Sequence, residues 1–505
     1  MIAPILFTLS FILSLYQKNI GELTPKSLIL PLVSGFIFSL VILFLSRFLF
    51  KIKSKAIVFS IFFLTLFFFY GQILSIIPVR ANLFIVELAI LILAFILLQQ
   101  SKYKFTSLVS YLRILSIILV IFPLIGIIKY EFFERKSSLV MSPQSLPEVQ
   151  RDKLPQNLPD IYYIVPDSFS GEHVFNKYFQ HDISGFTRFL QNKGFYIAQD
   201  SAANYPKTFL SLASSLNMKY LDYLSKYQNS SDQTIVAPLI ENNLVMRFLK
   251  SQGYKYYQMG SWWGPSSFNR YADDNYTVRK QNNLGLDEFS HLILTTTMIH
   301  PLWEAISPKE IIGESDEDKR SIVLYQFETL PKVAKLPGPK FVFVHIIAPH
   351  APYVFDKNCN FTTQDVTDAQ PVEVKYANQT QCISKKLENT ITSILSSSQT
   401  PPVILLETDE GARFVAEMLD PDDSWEKASD KIIRMKFPIL AAYYLPGVSR
   451  DKLYPGISPV NSFRIILNLY FGTKLPLLPD RVYVFPNMQN LYRFRDVTDI
   501  VKNDK

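Results

Sequence analysis

Carboxylate and imidazole side chains, which bind metal ions and move protons, stand at or just after the ends of three apolar runs of strand length. The runs are 161–165, 341–347 and 403–406. The side chains are Asp167, His345, His350, Asp409 and Glu410. Ligands in open α/β sheets bind outside the carboxyl ends of the strands. If the three runs are parallel strands, we expect these side chains to meet at one edge of the sheet.

A hydroxyl group that could act as a nucleophile occurs in the segment 204–216, which reads NYPKTFLSLASSL. Asn204 as a cap and Pro206 in the first turn predict a helix start that places Thr208 in that turn. Helix N-termini offer N–H groups and partial positive charge to an anion. Thr208 could therefore attack a phosphate, especially if a metal ion lowers its pKa. The alternative is an ordinary helix start with a surface threonine.

The composition excludes a wholly soluble, highly charged or disordered protein. Of 505 residues, 48% are hydrophobic and 19% are charged, and the mean hydropathy is +0.13. Soluble domains carry about a quarter charged residues. Residues 1–128 contain ten basic and two acidic residues, so they account for the net charge of +7. Basic residues flanking apolar runs indicate a membrane protein and speak against nucleic-acid binding, which needs them clustered on a folded face.

About five apolar segments approach the roughly 20 residues that a bilayer requires. They are roughly 2–16, 27–49, 56–78, 82–99 and 106–128. Basic residues cluster in two of the loops, namely Arg47, Lys51, Lys53, Lys55, Lys102 and Lys104, whereas the other loops carry only Lys18, Lys26 and Arg80. The positive-inside rule makes those loops cytoplasmic. Everything after residue 129 is then predicted to lie outside, as the C-terminal domain of a multi-pass plasma (inner) membrane protein.

The C-terminal part changes character twice. Residues 130–158 lack periodicity and predict a linker, whereas strand-like and helix-like runs alternate from Pro159 onward. This alternation predicts an α/β domain with a largely parallel sheet. Both cysteines, Cys359 and Cys382, fall in this domain. A disulfide between them would suit an oxidising compartment, and two unpaired thiols are the alternative.

Four motifs in this order resemble the alkaline-phosphatase/sulfatase-like superfamily, especially its membrane-anchored branch of lipoteichoic acid synthases and phosphoglycerol transferases. The motifs occupy 159–167, 204–208, 345–353 and 408–411. The resemblance implies a transmembrane bundle of about five helices, followed by an α/β sandwich of alkaline-phosphatase-like type with a mostly parallel central sheet. The predicted domains are an anchor at 1–129, a linker at 130–158 and an extracytoplasmic catalytic domain at 159–505.

The resemblance also implies the roles of individual residues. One divalent metal ion would be held by Asp167, Thr208, Asp409 and Glu410. Thr208 would be the nucleophile and would carry a covalent phospho-intermediate. His345 and His350 would face the substrate, and one of them would donate a proton to the leaving alcohol.

One residue departs from the family pattern, because Glu410 stands where the family usually has histidine. Oxygen ligands favour Mn²⁺ or Mg²⁺, with Ca²⁺ or Zn²⁺ as further options. The added acid also leaves open a catalytically degenerate domain that serves as a binding or scaffold membrane protein.

The predicted function is a metal-dependent phosphoester transferase or hydrolase. Its substrates would be phospholipid head groups or phosphorylated envelope polymers at the outer membrane face. The predicted partners are thus a lipid or lipid-linked phosphorylated substrate and the bilayer, with no nucleic acid. Sulfatase chemistry is not expected, because Cys-x-Pro-x-Arg and Ser-x-Pro-x-Arg sites are absent from the sequence. Trp262, Trp263 and Arg413 are further candidates for substrate contact, with burial or a surface salt bridge as the alternatives.

Overall fold

The computed structural model divides the chain into two compact units. One comprises Met1–Ser137 with Lys280–Gly313, and the other comprises Ser138–Arg279 with Glu314–Lys505. The structure describes residues 2–20, 23, 25–76, 83–134, 145–150, 158–278, 288–299, 316–362, 369–419 and 424–502. Of the predicted linker 130–158, residues 135–144 and 151–157 lie outside the described residues.

Apolar helices build the first unit, as the sequence predicts. They are α1 (Ile2–Lys18), α2 (Ile29–Leu49), α3 (Lys53–Ile76), α4 (Leu83–Gln100) and α5 (Thr106–Lys129). Four of them, α2 to α5, are long and apolar enough to cross a membrane, whereas α1 is shorter. Large apolar side chains such as Phe48 and Phe122 are exposed on this unit, which suits a lipid surrounding. Residues 77–78 and 82, at the predicted ends of two segments, lie outside the described residues.

A segment from the C-terminal half of the chain also belongs to this first unit. Its helix Glu288–Thr296, here called the insertion helix, packs against α1, α2 and α3. Phe289 meets Tyr16 edge-on, with ring centroids 5.7 Å apart. Just after the helix, the Met298 N–H donates a hydrogen bond of 2.9 Å to the Phe67 carbonyl of α3. The segment is therefore bound to the helices through both its apolar side chains and its backbone.

A glycine in α3 permits this close approach. A Cβ atom at Gly71 would lie 3.0 Å from the Cα atom of Thr296 and 3.2 Å from its carbonyl oxygen. Such distances require the backbone to move, so any larger residue at position 71 would push the insertion helix away. The domain boundaries predicted from sequence, at residues 129 and 159, do not include this return of residues 280–313 to the first unit.

The second unit is built around a seven-stranded sheet with the order β2-β7-β6-β1-β5-β3-β4. Its strands are β1 (Ile161–Pro166), β2 (Tyr196–Ile197), β3 (Lys255–Met259), β4 (Asp274–Tyr276), β5 (Lys340–Ile346), β6 (Val403–Glu407) and β7 (Ala441–Tyr444). Strand β1 pairs in parallel with both β5 and β6, while β7 runs antiparallel to β6. A small separate sheet joins β8 (Tyr483–Val484) and β9 (Arg495–Asp496). The predicted mostly parallel sheet is confirmed.

Helices cover both faces of the sheet. In chain order they are α6 (Glu172–Val174), α7 (Ser184–Asn192), α8 (Thr208–Ser215), α9 (Ala237–Glu241), α10 (Leu244–Ser251), α11 (Gly264–Ser267), α12 (Asp316–Ala334), α13 (Val372–Ser397), α14 (Phe414–Glu417), α15 (Asp430–Lys436), α16 (Pro459–Phe471) and α17 (Thr498–Lys502). Tyr163 and Val165 of β1 enter the core shared with α8, α10 and α16. Tyr162 and Ile164 enter the core shared with α7, α12 and α13. Burial on both faces explains why β1 is apolar throughout.

A disulfide joins Cys359 to Cys382, with an S–S distance of 2.05 Å. It ties the chain after β5 to the middle of α13. Of the two alternatives that the sequence left open, the structure shows the paired one.

Candidate active site

The carboxyl ends of β1, β5 and β6 lie side by side because these strands are parallel neighbours. Asp167 directly follows β1, and its N–H donates a hydrogen bond of 2.8 Å to the Ile346 carbonyl at the end of β5. The next residue, Ser168, has a φ of +67°, which turns the chain sharply. The Asp167 carbonyl in turn accepts a hydrogen bond of 3.1 Å from the His350 N–H. The backbone thus fixes Asp167 at the centre of this edge.

The five charged and imidazole residues predicted for the site come together here. Ligand atoms of Asp167, His345 and Asp409 all lie within 4.8 Å of one another, and all three residues are buried. Ligand atoms of Asp167, His350 and Glu410 form a second group of the same size. Asp167 belongs to both groups, so one cation site or two adjoining sites would include it.

Asp409 has the environment expected of a metal ligand. Both of its carboxylate oxygens are buried without a hydrogen bond of normal geometry among the described residues. Burial, together with the charges of Asp167 and Glu410, raises the pKa of Asp409 well above its usual range, while the Thr208 hydroxyl and Lys436 oppose the rise. Unsatisfied buried carboxylates are costly. A divalent cation would satisfy these oxygens, so the residues present fit such an ion.

Thr208 is the first residue of α8 and faces the Asp409 carboxylate. Thr208 lies in the first turn of the helix, as predicted, but the helix begins two residues after Pro206, so both the predicted place of Pro206 in that turn and the predicted cap Asn204 are wrong. The Asn204 side chain accepts a hydrogen bond of 2.9 Å from the Val460 N–H and donates one of 2.8 Å to the Arg481 carbonyl. These tertiary contacts occupy the amide, and Lys207, in an extended conformation, precedes the helix instead.

His345 is fully buried within β5. Its Nε2 atom lies 3.3 Å from Oδ2 of Asp167, and its Nδ1 atom lies 2.8 Å from the hydroxyl of Ser266 in α11. A carboxylate only accepts hydrogen bonds, so a proton on Nε2 makes Nδ1 the acceptor from Ser266. Trp263 packs edge-on against the ring, with centroids 5.7 Å apart. The imidazole is therefore held on three sides.

His350 is half-buried and more accessible than His345. Its Nδ1 atom contacts the carbonyl of Ala351. Because a carbonyl only accepts, Nδ1 carries a proton, and Nε2 is the nitrogen that remains for ligation or proton transfer. Burial opposes ionisation of Asp167, but the charge of His350 and the contact with His345 outweigh it and lower the pKa of Asp167. Trp262 lies edge-on to His350, at 6.3 Å between centroids.

Lys436 is a site residue that the sequence analysis missed. Its Nζ atom lies 3.2 Å from Oε2 of Glu410, and both side chains are buried. The same ammonium donates a hydrogen bond of 2.9 Å to the Gly411 carbonyl. Burial lowers the pKa of Lys436, Glu410 opposes this, and the charges of Arg413 and Lys207 reinforce it. Two further cations thus act on the lysine that pairs with Glu410, and no spacing in the sequence indicates that Lys436 lies there.

Glu407 is a buried acid, and it is the second residue near the site that the sequence analysis passed over. It ends β6, and its Oε1 atom accepts hydrogen bonds from Ser462 and from the Tyr443 hydroxyl, the latter at 3.1 Å. Burial raises the pKa of Glu407 to about 7, against hydrogen bonds from Ser462, Tyr443 and Tyr163. This carboxyl, two residues before Asp409 in the sequence, links β6 to β7 and α16.

Comparison with known proteins finds a similarity over about half of the chain. The sulfatase family profile matches residues 159–409, whereas no curated protein matches the chain significantly.

Several solved structures resemble the chain at low identity. The C-terminal periplasmic domain of EcEptC from Escherichia coli, in a complex with zinc, has 13% identity and a TM-score of 0.44, covering 70% of this chain and 96% of that one. The corresponding domain of the phosphoethanolamine transferase EptC from Campylobacter jejuni has 11% identity and a TM-score of 0.39, covering 69% and 98%. The lipoteichoic acid synthase LtaP from Listeria monocytogenes has 13% identity and a TM-score of 0.37, covering 70% and 81%.

The family match begins at Pro159, just before β1, and ends at Asp409, so it spans the strands that carry the clustered acids. The chain is therefore similar to the sulfatase family over residues 159–409, the part that follows its apolar N-terminal helices in the sequence.

Proposed function

We propose that this chain is a membrane-anchored, metal-dependent enzyme that cleaves a phosphoester and transfers the phosphorus-bearing group through Thr208. One observation carries the proposal, namely the buried Asp409 carboxylate, which lacks a hydrogen bond of normal geometry among the described residues and is faced by the first hydroxyl of α8. A cation held there would sit beside a helix N-terminus that favours anions. Nucleophile, cation and phosphate would then meet at one point.

The metal would be held by Asp167, Asp409 and Glu410 together with the Thr208 hydroxyl. A bound divalent cation would lower the pKa of that hydroxyl and neutralise charge on the phosphate. Three carboxylates and a hydroxyl form an oxygen-only ligand set, so we expect Mn²⁺ or Mg²⁺ first, with Ca²⁺ or Zn²⁺ as further options.

The reaction has two displacements. The deprotonated Thr208 oxygen attacks phosphorus, and the bond from phosphorus to the donor alcohol breaks with its electron pair on that alcohol. His350, which is half-buried, donates the Nε2 proton of its imidazolium form to the leaving alcohol and becomes the neutral imidazole. A second alcohol or water then gives its proton to His350 and attacks phosphothreonine, which restores the Thr208 oxygen. His345, locked between Asp167 and Ser266, positions Asp167.

The substrate class follows from the apolar helices. Four of them are long and apolar enough to cross a membrane, so a phospholipid head group or a phosphorylated, lipid-linked envelope polymer is the substrate we propose. The basic loops and the Cys359–Cys382 disulfide both support an extracytoplasmic domain of an inner-membrane protein.

The test is a rapid-quench experiment on the full chain in detergent with Mn²⁺ and a mixture of phospholipids. Mass spectrometry of the proteolysed protein should show a phosphorus-bearing adduct on the peptide that contains Thr208. Thr208→Ala should abolish the adduct, whereas Thr187→Ala, a buried threonine of α7, should keep it. An adduct that persists in Thr208→Ala would overturn the proposal.

A second candidate function rests on Glu410. An acid at this position is the departure expected of a decayed site, and the domain would then serve as a binding or scaffold protein. Isothermal titration discriminates the two functions, since a decayed site would show no tight Mn²⁺ or Mg²⁺ binding that depends on Asp167 and Asp409.

A further inference from the structure

Three buried acids converge at the candidate site, which raises the question of how the fold tolerates them. Asp167, Asp409 and Glu410 are each at most 3% exposed. Like charges in a buried site disfavour one another's ionisation. A third acid added to two others should therefore bind a cation very tightly and repel an anionic substrate.

Lys436 neutralises one of these three acids, because it pairs with Glu410. Its ammonium lies 3.2 Å from Glu410 Oε2, and the Lys436 side chain is fully buried. The backbone at Lys436 is fixed as well, because a Cβ atom at Gly411 would lie 2.1 Å from the Lys436 carbonyl oxygen. Glycine at position 411 thus lets the end of α15 pack directly on the residue that follows Glu410.

We propose that Glu410 and Lys436 act as one internally neutral ligand pair, in which Lys436 weakens cation binding and strengthens binding of the phosphate group of the substrate. This inference rests on the proposed function, since it assumes the same metal site. The pair would supply an oxygen ligand without adding net negative charge. The histidine that is usual at this position has no net charge in its neutral form either.

The surrounding charges support this reading. Arg413 and Lys207 both act electrostatically on Lys436, and Lys207 directly precedes Thr208 in the sequence. A phosphate attacked by Thr208 would thus meet a field of three cations. Removing Lys436 would lower that field and leave Glu410 with its full charge toward the metal.

A second buried lysine–carboxylate pair offers a matched control. Lys340 at the start of β5 pairs with Asp160, which precedes β1, and Lys340 is 1% exposed. The Lys340 ammonium also donates a hydrogen bond of 2.8 Å to the Leu336 carbonyl. The pair has the same chemistry, but it lies at the amino ends of the strands whose carboxyl ends carry the site.

The experiment measures binding, without turnover, on the full chain in detergent by isothermal titration. Mn²⁺ is titrated first, and inorganic phosphate is then titrated into the Mn²⁺-loaded protein. Lys436→Met should bind Mn²⁺ about tenfold tighter and phosphate about tenfold weaker, since close charge pairs couple by at least about one such factor. Lys340→Met should lower the melting temperature and change neither affinity.

Two further variants keep the test decisive if Lys436→Met fails to fold. Glu410→Gln leaves Lys436 uncompensated, so Mn²⁺ binding should weaken about tenfold while phosphate binding does not weaken. The double variant Glu410→Gln/Lys436→Met has the wild-type net charge and should return both affinities to within about threefold of wild type.

Opposite movement of the two affinities is a signature that lost packing would not produce. If both affinities of Lys436→Met fall together, or if Glu410→Gln leaves Mn²⁺ binding unchanged, the ligand pair is refuted and the metal site stands. If the wild-type chain binds no Mn²⁺, the proposed function fails with it. A missing Thr208 adduct would leave these affinities untouched, so the two failures are distinguishable.

Discussion

The Nε2 atom of His345 lies 3.3 Å from Oδ2 of Asp167, inside a strand that excludes solvent from the imidazole. The other ring nitrogen meets Ser266 at 2.8 Å. A buried imidazole that lies between a carboxylate and a hydroxyl is suited to orient that carboxylate, as outer partners of metal ligands do. His350, by contrast, is accessible enough to exchange protons. The structure thus separates two histidines that the sequence treats alike.

Ser266→Ala should therefore lower Mn²⁺ affinity or turnover by about tenfold to a hundredfold, because His345 loses the group that fixes its tautomer and Asp167 loses its orientation. The measurement is Mn²⁺ titration together with the pH profile of kcat. The control is Ser267→Ala in the same helix, where the hydroxyl donates only to the Gly264 carbonyl, at 2.8 Å. Equal behaviour of the two variants would contradict a positioning role for His345.

Metal removal should destabilise the C-terminal domain, because the buried Asp409 carboxylate makes no hydrogen bond of normal geometry among the described residues. A ligand at 100 times its Kd stabilises a fold by about 2.7 kcal/mol. Thermal unfolding with and without a chelator should show a lower melting temperature after chelation, restored by Mn²⁺. Asp409→Asn should melt at a temperature that no longer depends on the chelator. A wild-type melting temperature that is the same with and without the chelator would argue against a metal at this site.

Loss of the disulfide should destabilise the same domain. Cys359 and Cys382 are 23 residues apart, and a cross-link closing a loop of that size contributes about 3 kcal/mol. Cys359→Ser/Cys382→Ser should thus lower the melting temperature, and each single variant should do the same.

The redox state of this cysteine pair also reports the topology. Thiol labelling of denatured protein from intact cells should find both cysteines blocked, since disulfides persist outside the cytoplasm. Two reactive thiols would place the domain on the cytoplasmic side and would contradict the orientation predicted from the basic loops.

Gly71→Ala should loosen the insertion helix, because the added Cβ atom meets the Thr296 backbone at 3.0 Å. Overpacking of this kind costs about 1–3 kcal/mol. Ser290 is buried in the insertion helix. In a Ser290→Cys variant, the new thiol should react with maleimide severalfold faster when Gly71→Ala is also present than when Gly71 is kept.

The matched control for that prediction is Gly126→Ala in α5. There the obstructing atoms belong to the Gln17 side chain, which can move aside. Labelling at position 290 should therefore keep its original rate. Equal rates in both backgrounds would mean that the insertion helix does not depend on close packing at Gly71.

Much of the sheet and its acidic edge could be predicted from sequence because the signal is local. Runs such as 161–165 are rich in apolar residues, which is typical of a strand buried on both faces, and a polar residue follows each run within three positions. Parallel pairing then brings Asp167 and Asp409 together without further information.

The features that the sequence missed depend on contacts between distant segments. Lys436 pairs with Glu410 only because α15 packs on Gly411, and nothing in its own neighbourhood marks it. Asn204 has the residue type of a helix cap, but its amide bonds with distant backbone groups instead. Tertiary partners decided between two uses of the same side chain.

The insertion helix has a practical consequence for anyone who wishes to crystallise the catalytic part alone. A fragment begun at Pro159 would still contain Phe289 and Met298, whose apolar partners, such as Tyr16, would be deleted. Exposed apolar surface of that kind promotes aggregation. A fragment that stays free of aggregation should therefore lack the N-terminal helices and carry a short polar loop in place of residues 280–313.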